Sequence, residues 1–136
     1  YAVESGILCP KGWHVPSDDE WKQLEMYLGM NQEAADDFGS RGTDEGGKLK
    51  ETGTRHWQAD NIDAFDTYGF TALPGGCRYD DGSFTTIGVY GYWWSSTESK
   101  YGKDKALERG LVHFDSTVFR SRSSKGYGFS VRCLRD

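Results

Sequence analysis

The chain has 136 residues, enough for one compact domain with one hydrophobic core. Its formal net charge of −5 argues against a nucleic-acid footprint, and no apolar run approaches the length of a membrane span. Glycine is abundant at 18 residues and aromatics make up 15%, which excludes low-complexity disorder and suggests tight turns around aromatic layers. The sequence opens on Tyr1 rather than methionine and is expected to be part of a longer chain, with one domain over 1–136.

The stretch VPSDDEWKQLEMYLGM predicts the first helix. Ser17 reads as its N-cap, and Glu20 completes a capping box. Asp18 and Asp19 sit in the first turn, where the helix dipole favours anions. Trp21, Leu24 and Leu28 form an apolar face, and Gly29 is a natural stop. Capping chemistry accounts for these carboxylates without a catalytic or metal role.

A second, short helix is expected in NQEAADDFGSRG, capped by Asn31, with Ala34, Ala35 and Phe38 facing inward. Gly39, Gly42, Gly46 and Gly47 then break regularity. GFTALPGGCRYDDGSFTTIG predicts two strands about a turn at Asp80-Asp81-Gly82. GYWWSSTE reads as another strand, and ALERGLVHFDSTVFRS as a strand, a turn near Asp115-Ser116 and a further strand. GYGFSVRCLRD places Phe129, Val131 and Cys133 on one face. The expected architecture is α+β, with helices first and an antiparallel sheet after.

Few residues invite reaction chemistry. His14, His56 and His113 lack metal-ligand spacing, and no nucleotide-binding or hydrolase motif occurs. Cys9 with His14 lacks a third orienting group for a nucleophile. Asp60, Asn61, Asp63 and Asp66 bunch together, but their spacing is not that of an EF-hand, and a solvated loop is the simpler reading. No catalytic residue, metal or cofactor is expected. Of the three cysteines, Cys9 and Cys133 lie near opposite ends, where a disulfide would tie the termini; three free thiols are the alternative.

Four ordered motifs, CPKGWHVPSDDEW, GFTALPGG, GYWWSSTE and GFSVRCLRD, resemble those of the Fibrobacter succinogenes major paralogous domain. That family is similar to the C-type-lectin fold and to formylglycine-generating-enzyme-like domains. The resemblance implies N-terminal helices packed on a twisted antiparallel sheet, with the termini close together. It implies secreted or surface proteins, often lipoproteins. It also supports a Cys9–Cys133 disulfide, since both fall on motif positions; Cys77 does not. The E-P-N, Q-P-D and W-N-D calcium motifs of sugar-binding lectins are missing, as is the cysteine pair of formylglycine-generating enzymes, so fold carries over and chemistry does not. The family pattern G-x-x-W-S-S-T makes Trp94 the buried tryptophan, with Trp93 on the other face of its strand.

The same region resembles variable proteins diversified by retroelements, in which template adenines of A-A-C or A-A-T codons are mutated. Such codons cannot yield Glu, Lys, Gln, Met or Trp. Arg78, Gly82, Ser83, Phe84, Ile87, Gly88, Gly91, Ala106, Arg109, Leu111, Ser116, Val118, Arg120 and Lys125 occupy the fixed letters of that pattern. The open positions in the first half are Cys77, Tyr79, Asp80, Asp81, Thr85, Thr86, Val89, Tyr90 and Tyr92. In the second half they are Gly110, Val112, His113, Phe114, Asp115, Thr117, Phe119, Ser121, Arg122, Ser123, Ser124 and Tyr127. Each is a residue such a codon can reach; Glu108 is the exception, a fixed position or a counterexample.

Random residues in a core would cost several kcal/mol each, so open positions are expected on an exposed, contiguous face. The implied function is a ligand-binding domain with a hypervariable surface, displayed on a bacterial surface or phage, whose partner is a cell-surface protein or glycan. An invariant glycan-binding or cell-wall-associated module of a surface lipoprotein is the alternative, and a formylglycine-generating-type enzyme a third.

Overall fold

A computed structural model describes residues 2–136; Tyr1, the first residue of the expected domain, lies outside the described residues. Helix α1 spans Asp18–Leu28. The Ser17 hydroxyl accepts from the Glu20 amide, and the Glu20 carboxylate accepts from the Ser17 amide. Gly29 closes it with φ 127°. Helix α2, Gln32–Asp36, is capped by Asn31, whose Oδ1 accepts from the Ala34 amide at 2.8 Å. Both caps follow the sequence reading, because capping is a local interaction.

A third helix, α3, covers Glu45–Leu49 inside the glycine-rich stretch expected to be irregular. Its glycines are there for close approach. A Cβ on Gly46 would sit 2.1 Å from the Thr117 carbonyl oxygen, and one on Gly47 would sit 2.1 Å from that of Asp63. Only glycine lets this helix touch two other backbones.

The short strands are β1 (Trp13–His14), β2 (Gly39–Arg41), β3 (Cys77–Arg78) and β4 (Phe84–Thr85). The longer ones are β5 (Tyr90–Glu98), β6 (Lys105–Val112) and β7 (Val118–Ser124), and β8 (Leu134–Arg135) is again short. The main sheet is antiparallel with order β2-β7-β6-β5. Strands β3 and β4 form the expected hairpin, shorter than foreseen, and Asp81 Oδ1 accepts from the Ser83 amide at its tip. Strands β1 and β8 pair next to a Cys9–Cys133 disulfide with Cα atoms 5.8 Å apart, which holds the ends of the domain together.

Strand alternation divides the sheet into two faces. Trp93, Leu111 and Val118 face the helices and join Trp21, Leu28, Met30, Ala35, Leu49, Trp57 and Ala72 in one core. Trp94 points the other way and is equally buried, at 6% exposure, under the Phe129 ring 4.4 Å away. The two neighbouring tryptophans thus fill layers on opposite sides of one strand.

Charges are buried between α1 and the sheet. Arg109 donates to Asp18 and Glu25, Arg120 donates twice to Asp18, and Arg41 donates twice to Glu25. Asp18 therefore does more than favour the helix dipole: it joins α1 to β6 and β7. Burial opposes its ionisation, but the Arg120 and Arg109 guanidiniums overcome that and hold its carboxyl at about 2.

Two expectations are corrected here. Phe38 is exposed rather than inward-facing, and its ring stacks on the Arg120 and Arg122 guanidiniums at 4.1 and 3.9 Å. Before β8, residues 128–133 form no strand: Gly128 bridges Arg78 of β3, Ser130 bridges Trp93 of β5, and Phe129 between them is half-buried. The Trp94 amide donates to the Ser130 carbonyl and the Ser130 amide to the Tyr92 carbonyl, so Phe129 lies across the outer face.

Candidate functional site on the outer face of the sheet

The outer face carries a continuous row of aromatic rings. From the β3–β4 hairpin, Tyr79 meets Tyr127 at 5.2 Å between centroids, and Tyr127 meets Phe129 at 6.1 Å. Phe129 stacks on Tyr92 at 5.0 Å, and Tyr92 on Tyr90 at 5.5 Å with the rings nearly parallel. Tyr90 meets Phe114 edge-on at 6.2 Å, and Phe114 meets His113 at 5.1 Å. Strand β5 supplies Tyr90 and Tyr92 by alternation, and the β6–β7 turn supplies His113 and Phe114. The hairpin docks on the C-terminal segment by paired Arg78–Gly128 backbone hydrogen bonds, which brings Tyr79 to Tyr127.

At one end the row opens into a cleft of about 300 Å³. Its lining comprises Tyr90, Tyr92, Gly110, Val112, Phe114, Asp115, Thr117 and Phe119, together with Ser40 and Leu111. Gly110, opposite Tyr92 on one side and Phe119 on the other, forms the floor. A Cβ there would lie 3.4 Å from the Tyr92 ring and 3.5 Å from the Phe119 Cβ, so the floor has room for a small side chain.

The turn that carries Phe114 and Asp115 is held from both sides. Asp115 Oδ1 accepts from the Thr117 amide at 2.7 Å. From beneath, the fully buried Lys50 ammonium donates to the carbonyls of Ile62, Val112 and Asp115. Burial pushes Lys50 down to about 8. The His113 Nδ1 lies 2.9 Å from the Ala59 carbonyl oxygen.

Beneath the middle of the row, opposite Trp94 on β5, sits Glu108, 2% exposed. Its Oε2 has no hydrogen-bond partner among the described residues, and burial pushes its carboxyl up to about 7. Burial, with the nearby Glu108 carboxyl, also raises the Tyr92 hydroxyl.

Most open positions of the sequence fall into three groups. Those lining the cleft are joined through the ring row to Tyr79 and Tyr127, with Asp80 and Asp81 exposed at the hairpin tip. Ser121 and Ser123 lie on the outer face of β7. Thr85, Thr86 and Val89 are half-buried before and at the start of β5, where the Val89 carbonyl accepts from the His113 amide.

Four open positions depart from the expected exposed face, and one of them is Gly110, buried as the floor of the cleft. Arg122 and Ser124 alternate onto the helix side of β7, and Arg122 is held between the rings of Phe38 and Tyr101. Cys77 is buried at 7% exposure and is a free thiol. Among the fixed letters, Phe84 and Ile87 are 80% and 79% exposed, so they are not part of the core.

Sequence reasoning missed Lys50, Glu108 and Ser40. Only Glu108 left a signal, as the open position of the motif that an adenine-derived codon cannot reach. The other candidates have structural duties. Cys9 is in the disulfide, and His14 bonds Asp136 and Glu20. Asn61 donates to the Glu51 and Gly53 carbonyls, and Asp66 accepts from the Thr71 amide and hydroxyl. Among the described residues no group of three His, Cys, Asp or Glu side chains is placed to hold a metal ion, and no helix is long and apolar enough to cross a membrane.

Helices on one face of an antiparallel sheet and an aromatic row on the other define an α+β domain. The chain belongs to the Fibrobacter succinogenes major domain family, whose model matches residues 1–135. No curated protein and no solved structure gives a match.

Proposed function

We propose that this domain, of C-type-lectin-like fold, binds a ligand on the outer face of its sheet, with the cleft beside Tyr90 and Phe119 as the centre of contact. It acts at a bacterial surface or on a phage particle, where it recognises a cell-surface protein or glycan. Its contact residues are renewed by retroelement mutagenesis. One observation carries this reading: every residue lining the cleft except Ser40 and Leu111 is an open position of the motif. Leu111 belongs to the core, where variation would be costly.

The chemistry suits noncovalent recognition. Phe114 and Phe119 are 53% and 40% exposed beside the stacked tyrosines. Each aromatic ring brings a large area to a contact, and aromatic residues dominate the energetic centres of interfaces. An exposed apolar surface of this kind is a solubility liability unless something covers it. A fixed glycan-binding module is the second reading, favoured by the nearly parallel Tyr90 and Tyr92 rings, which suit stacking against a sugar.

Sequencing the coding locus separates the two. The proposal expects a nearby near-repeat with adenines at the codons of the cleft residues, beside a reverse-transcriptase gene. A locus with neither feature leaves the fixed module in its place.

A further inference from the structure

The geometry points to a basic side chain of a protein partner, arginine or lysine, as the group the cleft receives. This rests on the outer face being the contact surface and names the chemistry of the contact. Tyr90, Tyr92, Phe114 and Phe119 border the cleft, and aromatic faces attract cations. Asp115 is the one charged residue in its lining. Its Oδ1 accepts from the Thr117 amide, and an ionised carboxylate has capacity for further donors.

The nearby Lys50 cation attracts that carboxylate but gives it no hydrogen bond. Lys50 has three N–H donors, and all three go to backbone carbonyls beneath the turn. Lys50 is sealed from solvent, whereas Asp115 lines the cleft.

A glycan would ask for something else. Sugar hydroxyls are read by several convergent polar groups; the hydroxyls of Ser40, Tyr90, Tyr92 and Thr117 line this cleft, but no amide or guanidinium side chain does. A long side chain with an alkyl stem and a charged tip matches apolar walls with one carboxylate. The net charge of −5 adds long-range attraction for a basic partner.

Backbone-amide NMR titration of the intact domain tests this with four probes: the N-acetyl methylamides of arginine, lysine and citrulline, and N-acetylglucosamine. Citrulline keeps the shape of arginine without its charge. The expected result is saturable shifts centred on Gly110, Phe114 and Phe119 with the two cationic probes, and about tenfold weaker binding of citrulline. Asp115→Asn, which keeps an oxygen for the Thr117 amide, should weaken the arginine probe several-fold. Phe119→Ser should weaken it independently. Equal binding of citrulline, or tighter binding of N-acetylglucosamine at the same amides, overturns the cationic assignment and leaves the cleft as a ligand site. Absence of saturable shifts at the cleft with the cationic probes overturns the assignment too, while the coding locus decides the diversified surface separately.

Discussion

Arg109 and Asp18, 91 residues apart, meet in a buried ion pair with Nη1 2.8 Å from Oδ1. Arg120 binds the same carboxylate from the neighbouring strand. Removing one partner of a buried pair strands the other charge, at a cost of about 3–5 kcal/mol. Asp18→Asn should therefore lower the urea midpoint strongly. Asp19→Asn, one residue away with its side chain 85% exposed, should stay within about 0.5 kcal/mol of the parent. Equal effects of the two would mean that the cluster does not hold α1 to the sheet.

Two carboxyls give opposite pH dependences. Asp18 is held below its unfolded value, so its contribution is present above about pH 4 and is lost as pH falls towards about 2. Glu108 is raised to about 7, so the folded state keeps its proton where the unfolded state loses it. The ionisation-linked cost of its burial is absent below about pH 4, grows as pH rises to about 7 and then levels off near ~3 kcal/mol. Glu108→Gln should stabilise the domain at pH 8 and change little at pH 4. Melting curves of both proteins at the two pH values check this, and a pH-independent difference would contradict it.

Trp93 and Trp94 belong to separate layers, so truncating either should be costly. Each change to alanine is expected to remove about 3–5 kcal/mol and to lower the melting temperature by on the order of 10 °C. Phe129→Ala should destabilise less, because its ring is half-buried, but it uncovers both Tyr92 and Trp94. Calorimetry of the three variants reads this order directly.

The Cys9–Cys133 disulfide closes a loop with a sequence separation of 124 residues. Replacing both cysteines with serine should cost about 2–5 kcal/mol. Under non-reducing conditions one thiol, Cys77, should react with a labelling reagent, and only after unfolding, since it is buried. Labelling of more than one site would contradict the pairing.

What was legible in the sequence was mostly local. The capping box at Ser17 and Glu20, the cap at Asn31 and the Asp81-Gly82 turn each depend on residues within a few positions, and each forms as read. Strands β3 to β7 followed from their aromatic and β-branched residues, but β1 and β2 break the expected order of helices first and sheet after, β1 preceding α1 and β2 joining the main sheet from between α2 and α3. What the sequence hid depends on distant partners. Asp18 reads as a residue of the helix first turn until Arg109 and Arg120 arrive from the sheet. Gly46 and Gly47 read as breakers, because the backbones of Thr117 and Asp63 that require them are far along the chain. Arg122 is an open position of the motif, yet alternation from Val118 sends it to the helix side. The cleft was legible as a set of open positions, but its floor at Gly110 and its support by Lys50 needed the register of β5, β6 and β7.

The central claim is that the outer face can change while the scaffold stays folded, and that change there creates binding. A displayed library tests it, with Tyr90, Tyr92, Val112, Phe114, Asp115, Thr117 and Phe119 drawn from codons reachable by adenine mutation. The readouts are the folded fraction, by protease resistance, and selection against unrelated proteins. The account predicts that most members fold and that selection yields binders whose affinity depends on these positions. A control library at Trp93, Arg109, Leu111 and Arg120 should be largely unfolded. A folded fraction in the first library no higher than in the control, or binders that map elsewhere on the domain, would contradict it.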